Sequence, residues 1–324
     1  LTGGTHNFVV NPKVVSIQGN KTYDGNTTIS SSDITSITAT VGSETLVMSS
    51  GTGTTSSQNA ATYASAGINE GSLTLGNGSN GGLAANYTLS GHAASSFQIN
   101  QRVLSSSGTR TYDGTATASS SDLTLSNLVG SETLTLSGNG TLADANVATN
   151  KTVTLNTLTL SDNSGLAANY TLTGGTHQLT ITQKAVNTSG TRTYNSTTVV
   201  GSGTLTVSGE VGSEQVTITG NGSITDKNVG SAKTTNTTGL TLQNGSGGGL
   251  ASNYTLSGGT HTYSVTQAPL SFIGTRTYNA TTNVEAANIT LTGQQGGEDL
   301  TVTGAGSITS GNVGSGKTAN VTGL

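Results

Sequence analysis

The 324 residues include no cysteine and no tryptophan, and only 2 prolines, 3 phenylalanines and a single methionine, Met48. Without cysteine there is no disulfide framework, no thiolate nucleophile and no cysteine-ligated zinc. Charge is equally scarce: Lys, Arg, Asp and Glu make up 8% of the chain and the net charge is -4, against roughly 25% charged residues in an ordinary soluble domain. A protein that grips nucleic acid needs a basic surface for the phosphates, and these residues cannot build one. No run approaches the ~18 apolar residues of a membrane-spanning helix, and the N-terminal stretch has no signal-peptide pattern. No glycine-rich phosphate loop, nucleophile elbow or paired-carboxylate arrangement stands out, so no enzyme is expected.

What the chain has is repetition. Lys21-Thr-Tyr23-Asp24-Gly25 returns as Arg110-Thr-Tyr112-Asp113-Gly114, Arg192-Thr-Tyr194-Asn195-Ser196 and Arg276-Thr-Tyr278-Asn279-Ala280, with the tyrosines 89, 82 and 84 residues apart. A second phrase ending in Asn-Tyr-Thr-Leu places Tyr87, Tyr170 and Tyr254 at the same period, and a third places Glu44, Glu132, Glu214 and Glu298. Three independent markers with one period define a tandem array. The period exceeds most solenoid units and suits a small domain with its own core. The alignment divides the chain into residues 1–12, the final strand of a preceding repeat, then repeats at 13–101, 102–183, 184–267 and 268–324, the last one truncated. The chain therefore reads as a window on a longer array.

Strand is the local pattern throughout. Glu132-Thr-Leu-Thr-Leu136 and Lys151-Thr-Val-Thr-Leu155 alternate apolar and hydroxyl residues with period two. Thr and Val crowd a helix but fit a pleated surface, while Gly, Asn and Ser cluster between the runs as turns. Each copy closes on a strand whose inward residues are predicted as Phe8 and Val10, Phe97 and Ile99, Leu179 and Ile181, and Tyr263 and Val265. Each closing strand runs into the next repeat with almost no linker, which predicts a semi-rigid rod.

The repeated side chains are assigned structural roles. Tyr23 and its equivalents are expected as core-edge aromatics whose hydroxyls reach water or a backbone partner. The basic residue two positions earlier should cover the ring with its stem and send its charge to solvent. Replacement of Asp-Gly by Asn195-Ser196 and Asn279-Ala280 suggests a type I turn with no obligatory glycine conformation. The glutamates Glu44, Glu132 and Glu214 read as solvated or weakly paired carboxylates at a hairpin. Glu132, Glu214 and Glu298 each precede a lysine by 19 residues, at Lys151, Lys233 and Lys317, so an autocatalytic isopeptide crosslink is the reactive alternative.

One histidine per repeat, at His6, His92, His177 and His261, points to a strand-end position rather than zinc. No cofactor is called for. Calcium between units is the one metal left open, at Asp162-Asn-Ser-Gly165 or Glu298-Asp299, neither with EF-hand spacing. Asn-x-Ser/Thr sequons begin at Asn26, Asn86, Asn169, Asn195, Asn253, Asn279 and Asn288, and those in the Asn-Tyr-Thr phrases can carry a sugar only where the asparagine faces water.

The order of these phrases, Lys-Thr-Tyr-Asp-Gly, Val-Gly-Ser-Glu, Asn-Val-Gly, Leu-Ala-Ala-Asn-Tyr-Thr-Leu-Ser-Gly and a closing Ile-Thr-Gln-Lys, resembles the YDG repeat domain of filamentous-haemagglutinin-type bacterial adhesins over essentially the whole chain. The resemblance implies a secreted or cell-surface protein of a Gram-negative bacterium, exported by a two-partner system, with these repeats forming a stalk. The first repeat departs in its middle, near Tyr63, and the third and fourth lose the Asp-Gly pair.

Two all-β architectures compete: tandem immunoglobulin-like β-sandwiches strung into an elongated rod, favoured because loops absorb the variation in repeat length, and a right-handed β-helix. The expected function is a stalk that projects or spaces a binding region; the alternative is a polysaccharide- or matrix-binding module, which would need exposed aromatic platforms. Expected partners are further copies of the repeat in the same chain, another chain through strand donation, and a host or bacterial surface or matrix polysaccharide. A membrane enters only through an anchor or transporter outside this window.

Overall fold

A computed structural model of the chain describes residues 2–324. It is all-β, with four tandem repeats built of short strands and single 3-10 turns. No helix among the described residues is long and apolar enough to cross a membrane. The chain divides into two compact units, Leu1–Arg110 with Thr115–Thr182, and Thr111–Gly114 with Gln183–Leu324.

In the first unit, the sheet of repeat 1 runs in the order Ile34–Thr38, Ser16–Thr22, Ser96–Asn100, Ala61–Ala64. Its two central strands are the first and last long strands of the repeat, and they pair in parallel, from Ser96 opposite Gln18 to Asn100 opposite Thr22. The outer strands pair antiparallel to them. Repeat 2 repeats the order with Thr124–Ser126, Ser105–Thr111, His177–Thr182 and Ala148–Thr152. Other strands form antiparallel pairs across intervening strands, such as Leu46–Ser50 with Thr74–Asn77, and Leu134–Ser137 with Thr159–Asp162.

Alternation decides which side chains enter the core. Ile17, Ile29 and Phe97 are fully buried in repeat 1, as are Leu104 and Leu179 in repeat 2, and the hydroxyls of Ser16, Ser95 and Ser106 are buried beside them. The closing-strand assignment holds for Phe97 and Ile99, and for Leu179 and Ile181. It fails for Phe8 and Val10, which are 91% and 82% exposed. Residues 2–12 lie in no strand, so no sheet gives these two side chains an inner face.

In the second unit, repeat 3 pairs Asn187–Thr193 in parallel with His261–Thr266, from Thr188 opposite His261 to Thr193 opposite Thr266. Leu205–Ser208 and Gly230–Asn236 flank that pair antiparallel. Val200, Ile224, Tyr263 and Val265 form the core, with Tyr194 and Leu205 packed against it. In repeat 4, Ser271–Gly274 pairs with Ile289–Thr292, and Asn283–Glu285, Ala305–Ile308 and Ala319–Asn320 form a second sheet.

Candidate junction between repeats

Three local motifs bring the repeated residues together. The Val-Gly-Ser-Glu phrase is a four-residue turn, closed by hydrogen bonds from Glu44 N–H to Val41 O, Glu132 N–H to Val129 O and Glu214 N–H to Val211 O, at 3.0, 3.0 and 2.9 Å. The Leu-Ala-(Ala/Ser)-Asn-Tyr phrase is a single 3-10 turn, Ala84–Asn86, Ala167–Asn169 or Ala251–Asn253, that delivers the tyrosine into a two-residue strand. That strand pairs in parallel with the start of its own repeat, as Tyr170 does with Arg102 and Tyr254 with Lys184. An acceptor upstream fixes each turn: Asn77, Asp162 and Asn244 bond the N–H of Ala84, Ala167 and Ala251.

The third motif, the Tyr-Asp-Gly turn, comes from the preceding repeat. Inside the first unit, Tyr23 donates to Glu132 Oε1 at 2.5 Å and Tyr170 donates to Glu132 Oε2 at 2.7 Å. The Tyr170 hydroxyl also accepts the Val129 N–H at 3.0 Å, which fills the inner face of the turn. The two rings meet edge to face at 5.3 Å, and both are almost wholly buried. A carboxylate with a phenolic donor on each oxygen, from two rings in edge-to-face contact, makes charge-assisted bonds worth about 1.5–3 kcal/mol each.

The second unit repeats the constellation. Tyr112 donates to Glu214 Oε1 and Tyr254 to Glu214 Oε2, both at 2.6 Å, and Val211 N–H donates to the Tyr254 hydroxyl at 3.0 Å. The rings are 5.5 Å apart and nearly perpendicular. In the same unit Tyr194 donates to Glu298 Oε1, where Lys227 is the second donor at 2.5 Å. In repeat 1, Tyr87 donates to Glu44 and accepts from Val41 N–H. Tyr278 is 58% exposed, and the charge of Asp113 adds to the upward shift of Tyr112.

Tyr23 and Tyr112 are each pushed up to about 12, first by desolvation and then by the bonds to Glu132 and Glu214. Tyr170 and Tyr254 are raised for the same reasons. Each hydroxyl is thereby held as a donor. The bond to Lys227 is the largest effect on Glu298, whose pKa is lowered, and the bond to Glu298 raises that of Lys227.

Other contacts close the junction of the first unit. Asn169 is buried; its Oδ1 accepts the Ala60 N–H at 2.8 Å and its Nδ2 donates to Asn59 Oδ1 at 3.1 Å. Arg102 donates from Nε to Asn127 O at 2.7 Å, and from Nη1 to Tyr23 O at 3.4 Å.

Several expectations are corrected here. The glutamates are not weakly paired hairpin carboxylates, and the Tyr23, Tyr112 and Tyr194 hydroxyls reach a carboxylate of the following repeat rather than water or backbone. The basic residue does not send its charge to solvent. Lys21 is buried, with its ammonium against Asp24 Oδ1 at 3.0 Å, Asn26 O and Oδ1 at 2.9 and 3.0 Å, and Thr28 O at 2.7 Å. Arg110 and Arg192 reach carbonyls of their own turns at Thr115 and Thr117, and at Thr197 and Val199. Arg192 also lies over the Tyr263 ring at 5.5 Å. Desolvation opposes ionisation of Asp24, but the bonds from Lys21 and the Asn26 N–H outweigh it and lower its pKa.

The turn itself has positive φ in all four copies: Gly25 at 79°, Gly114 at 77°, Ser196 at 57° and Ala280 at 61°. Serine and alanine therefore occupy the left-handed region that glycine favours, and the expectation of an unconstrained type I turn is wrong. At the first two copies the neighbouring repeat also approaches closely. A Cβ on Gly25 would lie 2.9 Å from Val129 Cγ1, and one on Gly114 would lie 2.8 Å from Val211 Cγ1.

The isopeptide alternative finds no geometry. Lys151 is bonded to Asp144 at 2.5 Å, Lys233 to Asp226, and Lys317 to Ser310 O at 3.0 Å, none of them to the glutamates 19 residues earlier. Asp144 and Asp226 have lowered pKa values, first through those lysine bonds, so each pair is an ammonium facing a carboxylate, the wrong state for amide formation. Asp162 serves as a turn acceptor. Among the described residues no group of three or more His, Asp or Glu side chains could hold a metal. His177 and His261 sit at strand starts, each with Nε2 bonded to a carbonyl, Leu172 or Leu256, and Nδ1 to a hydroxyl, Ser106 or Thr188.

The signal that could have revealed the junction was charge itself: in a chain with so few ionised groups, one glutamate returns with the period of two tyrosines. No curated protein and no solved structure matches the chain. The family model of the YDG domain matches residues 9–96, 98–178, 175–263 and 263–324. YDG repeats are structural, non-catalytic modules associated with secreted and cell-surface bacterial adhesins. With that domain matched four times in succession, the chain belongs to the YDG domain family.

Proposed function

We propose that these repeats are the structural stalk of a large secreted or cell-surface bacterial adhesin or extracellular fibre, and that they project or space a binding region carried elsewhere. The observation behind this is the buried Tyr–Glu–Tyr group at Glu132 and again at Glu214. It uses up the most persistent polar residues in joining one repeat to the next and leaves them no ligand to meet. A polysaccharide-binding role gains nothing from Tyr63 or Tyr87, whose rings are buried. The repeat boundaries near residues 101, 183 and 267 and the structural role of the thirteen repeated Tyr, Asp and Glu positions belong to this proposal.

Within the all-β repeat we favour separate immunoglobulin-like sandwiches over a β-helix. Mixed sheets in the first three repeats and antiparallel pairs in all four support that reading, since helical coils would pair in parallel throughout. Small-angle scattering tests both statements. Coils would advance about 19 Å per repeat and sandwiches about twice that, so a particle at the shorter spacing, or a compact one, would remove the sandwich stalk. The proposal includes strand donation between chains as a route to self-association, and sedimentation over a concentration range reads it directly.

A further inference from the structure

The first and last strands of a repeat lie side by side and point the same way. In repeat 3 the chain enters at the start of Asn187–Thr193 and leaves from the end of His261–Thr266, which pair over six positions from Thr188–His261 to Thr193–Thr266. The ladder is extended at both ends, where Thr188 N–H bonds Thr260 O at 3.1 Å and Tyr194 N–H bonds Thr266 O at 2.8 Å. Repeat 1 has the same arrangement over five positions. Entry and exit therefore fall at opposite ends of one parallel ladder.

That topology fixes how tension acts. Pulling the chain by its ends slides the last strand along the first, and the evenly spaced bonds of a parallel ladder take the load together. Had the two strands been antiparallel, entry and exit would share an end and the bonds would open singly. Sliding also draws buried groups out of the core, since Tyr263 and Val265 on the closing strand are 1% and 2% exposed. Its other edge is held antiparallel by Gly230–Asn236, with Tyr263 opposite Lys233. There is little slack beyond the clamp: in the first unit Ser96–Asn100 is followed after one residue by the strand Arg102–Val103.

We infer that each complete repeat is a shear clamp that bears tension along the chain, a mechanical function that rests on the stalk reading and goes beyond spacing. Forced unfolding is governed by the unfolding rate rather than by equilibrium stability, so direction of pull separates the two.

The chain has no cysteine, so one introduced pair defines the handles. In the full chain, Ala185→Cys with Gln267→Cys loads repeat 3 in shear, whereas Ala185→Cys with Thr260→Cys pulls both strands from their starts and peels them; all three positions are exposed. At one clamp force, unfolding in shear is expected to be at least about tenfold slower than in peeling. Equal rates would overturn the clamp. If Thr260→Cys disturbs the fold, Ser257→Cys gives the same peeling direction. Scattering from the unlabelled chain judges the stalk separately: an extended particle with equal rates ends the clamp alone, and a compact particle with unequal rates ends the stalk alone.

Discussion

Tyr23 donates a 2.5 Å hydrogen bond to Glu132, 109 residues further along the chain and in the next repeat. The same carboxylate accepts from Tyr170 on its other oxygen. One ionised group thus organises two rings from two successive repeats, and its removal should loosen the junction more than either fold.

Replacing Glu132 by Gln keeps the shape but removes the charge that strengthens both bonds. The expected loss is about 1–3 kcal/mol. Tyr23→Phe should cost about 1–2 kcal/mol, and the double variant less than the sum, with a coupling of about 0.5–3 kcal/mol. Chemical denaturation of the four proteins of this cycle measures it; strict additivity would contradict the geometry.

Alkali should attack the same place. The folded-state pKa of Tyr23 and Tyr112 is about 12, above the ordinary 10.0. For a group raised on folding, the stabilisation is complete below the unfolded pKa and disappears as pH rises through the folded one. Stability is therefore expected to be level up to about pH 10 and to fall between about 10 and 12. Titration of the phenolate absorbance should show a late tyrosine class, coincident with unfolding and diminished in Tyr23→Phe.

Acid acts on a different set. Asp144 and Asp226 are lowered by Lys151 and Lys233, so their contribution is present above the ordinary carboxylate range and is lost as pH falls through the folded values. Lys151→Met and Lys233→Met should flatten the acid side of a stability profile and leave the alkaline side unchanged.

Backbone strain at Ser196 and Ala280 can be relieved. Ala280→Gly should stabilise by about 0.5–1 kcal/mol, because the left-handed conformation costs glycine little. Gly25→Ala should destabilise by about 1–3 kcal/mol, since it adds strain and a close contact with Val129. Opposite signs in thermal melts would confirm that one conformation is imposed on all four turns.

Lys21→Met should be worse than a surface change. It withdraws a buried ammonium from the Asp24 carboxylate and from the oxygens of Asn26 and Thr28, and breaking such a group by removing one partner costs about 3–5 kcal/mol. Lys21→Arg, the residue found in the other three copies, should recover most of it.

Legibility in the sequence followed distance along the chain. Phe97 and Ile99, or Tyr263 and Val265, could be assigned inward because period-two alternation is local. His177 and His261 stand at strand starts as expected, whereas His6 lies in no strand and His92 lies outside one, with Nε2 2.9 Å from Glu70 Oε1. Glu132 was not, because its decisive partner lies in another repeat and a carboxylate on a hairpin turn looks solvated from its neighbours alone. Ser196 misled because serine seldom takes the positive φ of 57° that it holds here. Gly19, Gly108, Gly190 and Gly274, each four residues before the repeated tyrosine, went unread as well. A Cβ on them would come within 2.4, 1.7, 2.2 and 2.5 Å of the carbonyls of Asp33, Asp122, Thr204 and Asn288.

Asn169 ties two repeats together with a buried amide, and the same residue opens the tripeptide Asn-Tyr-Thr. A eukaryotic secretory pathway attaches its glycan to such a tripeptide while the chain is still unfolded, and a sugar there has no room once the repeats meet. Material made by that route should carry either an empty Asn169 or a broken joint. Production in a host without that transferase, or with Asn169 shielded by Thr171→Ala, is the condition under which the array can be assembled intact.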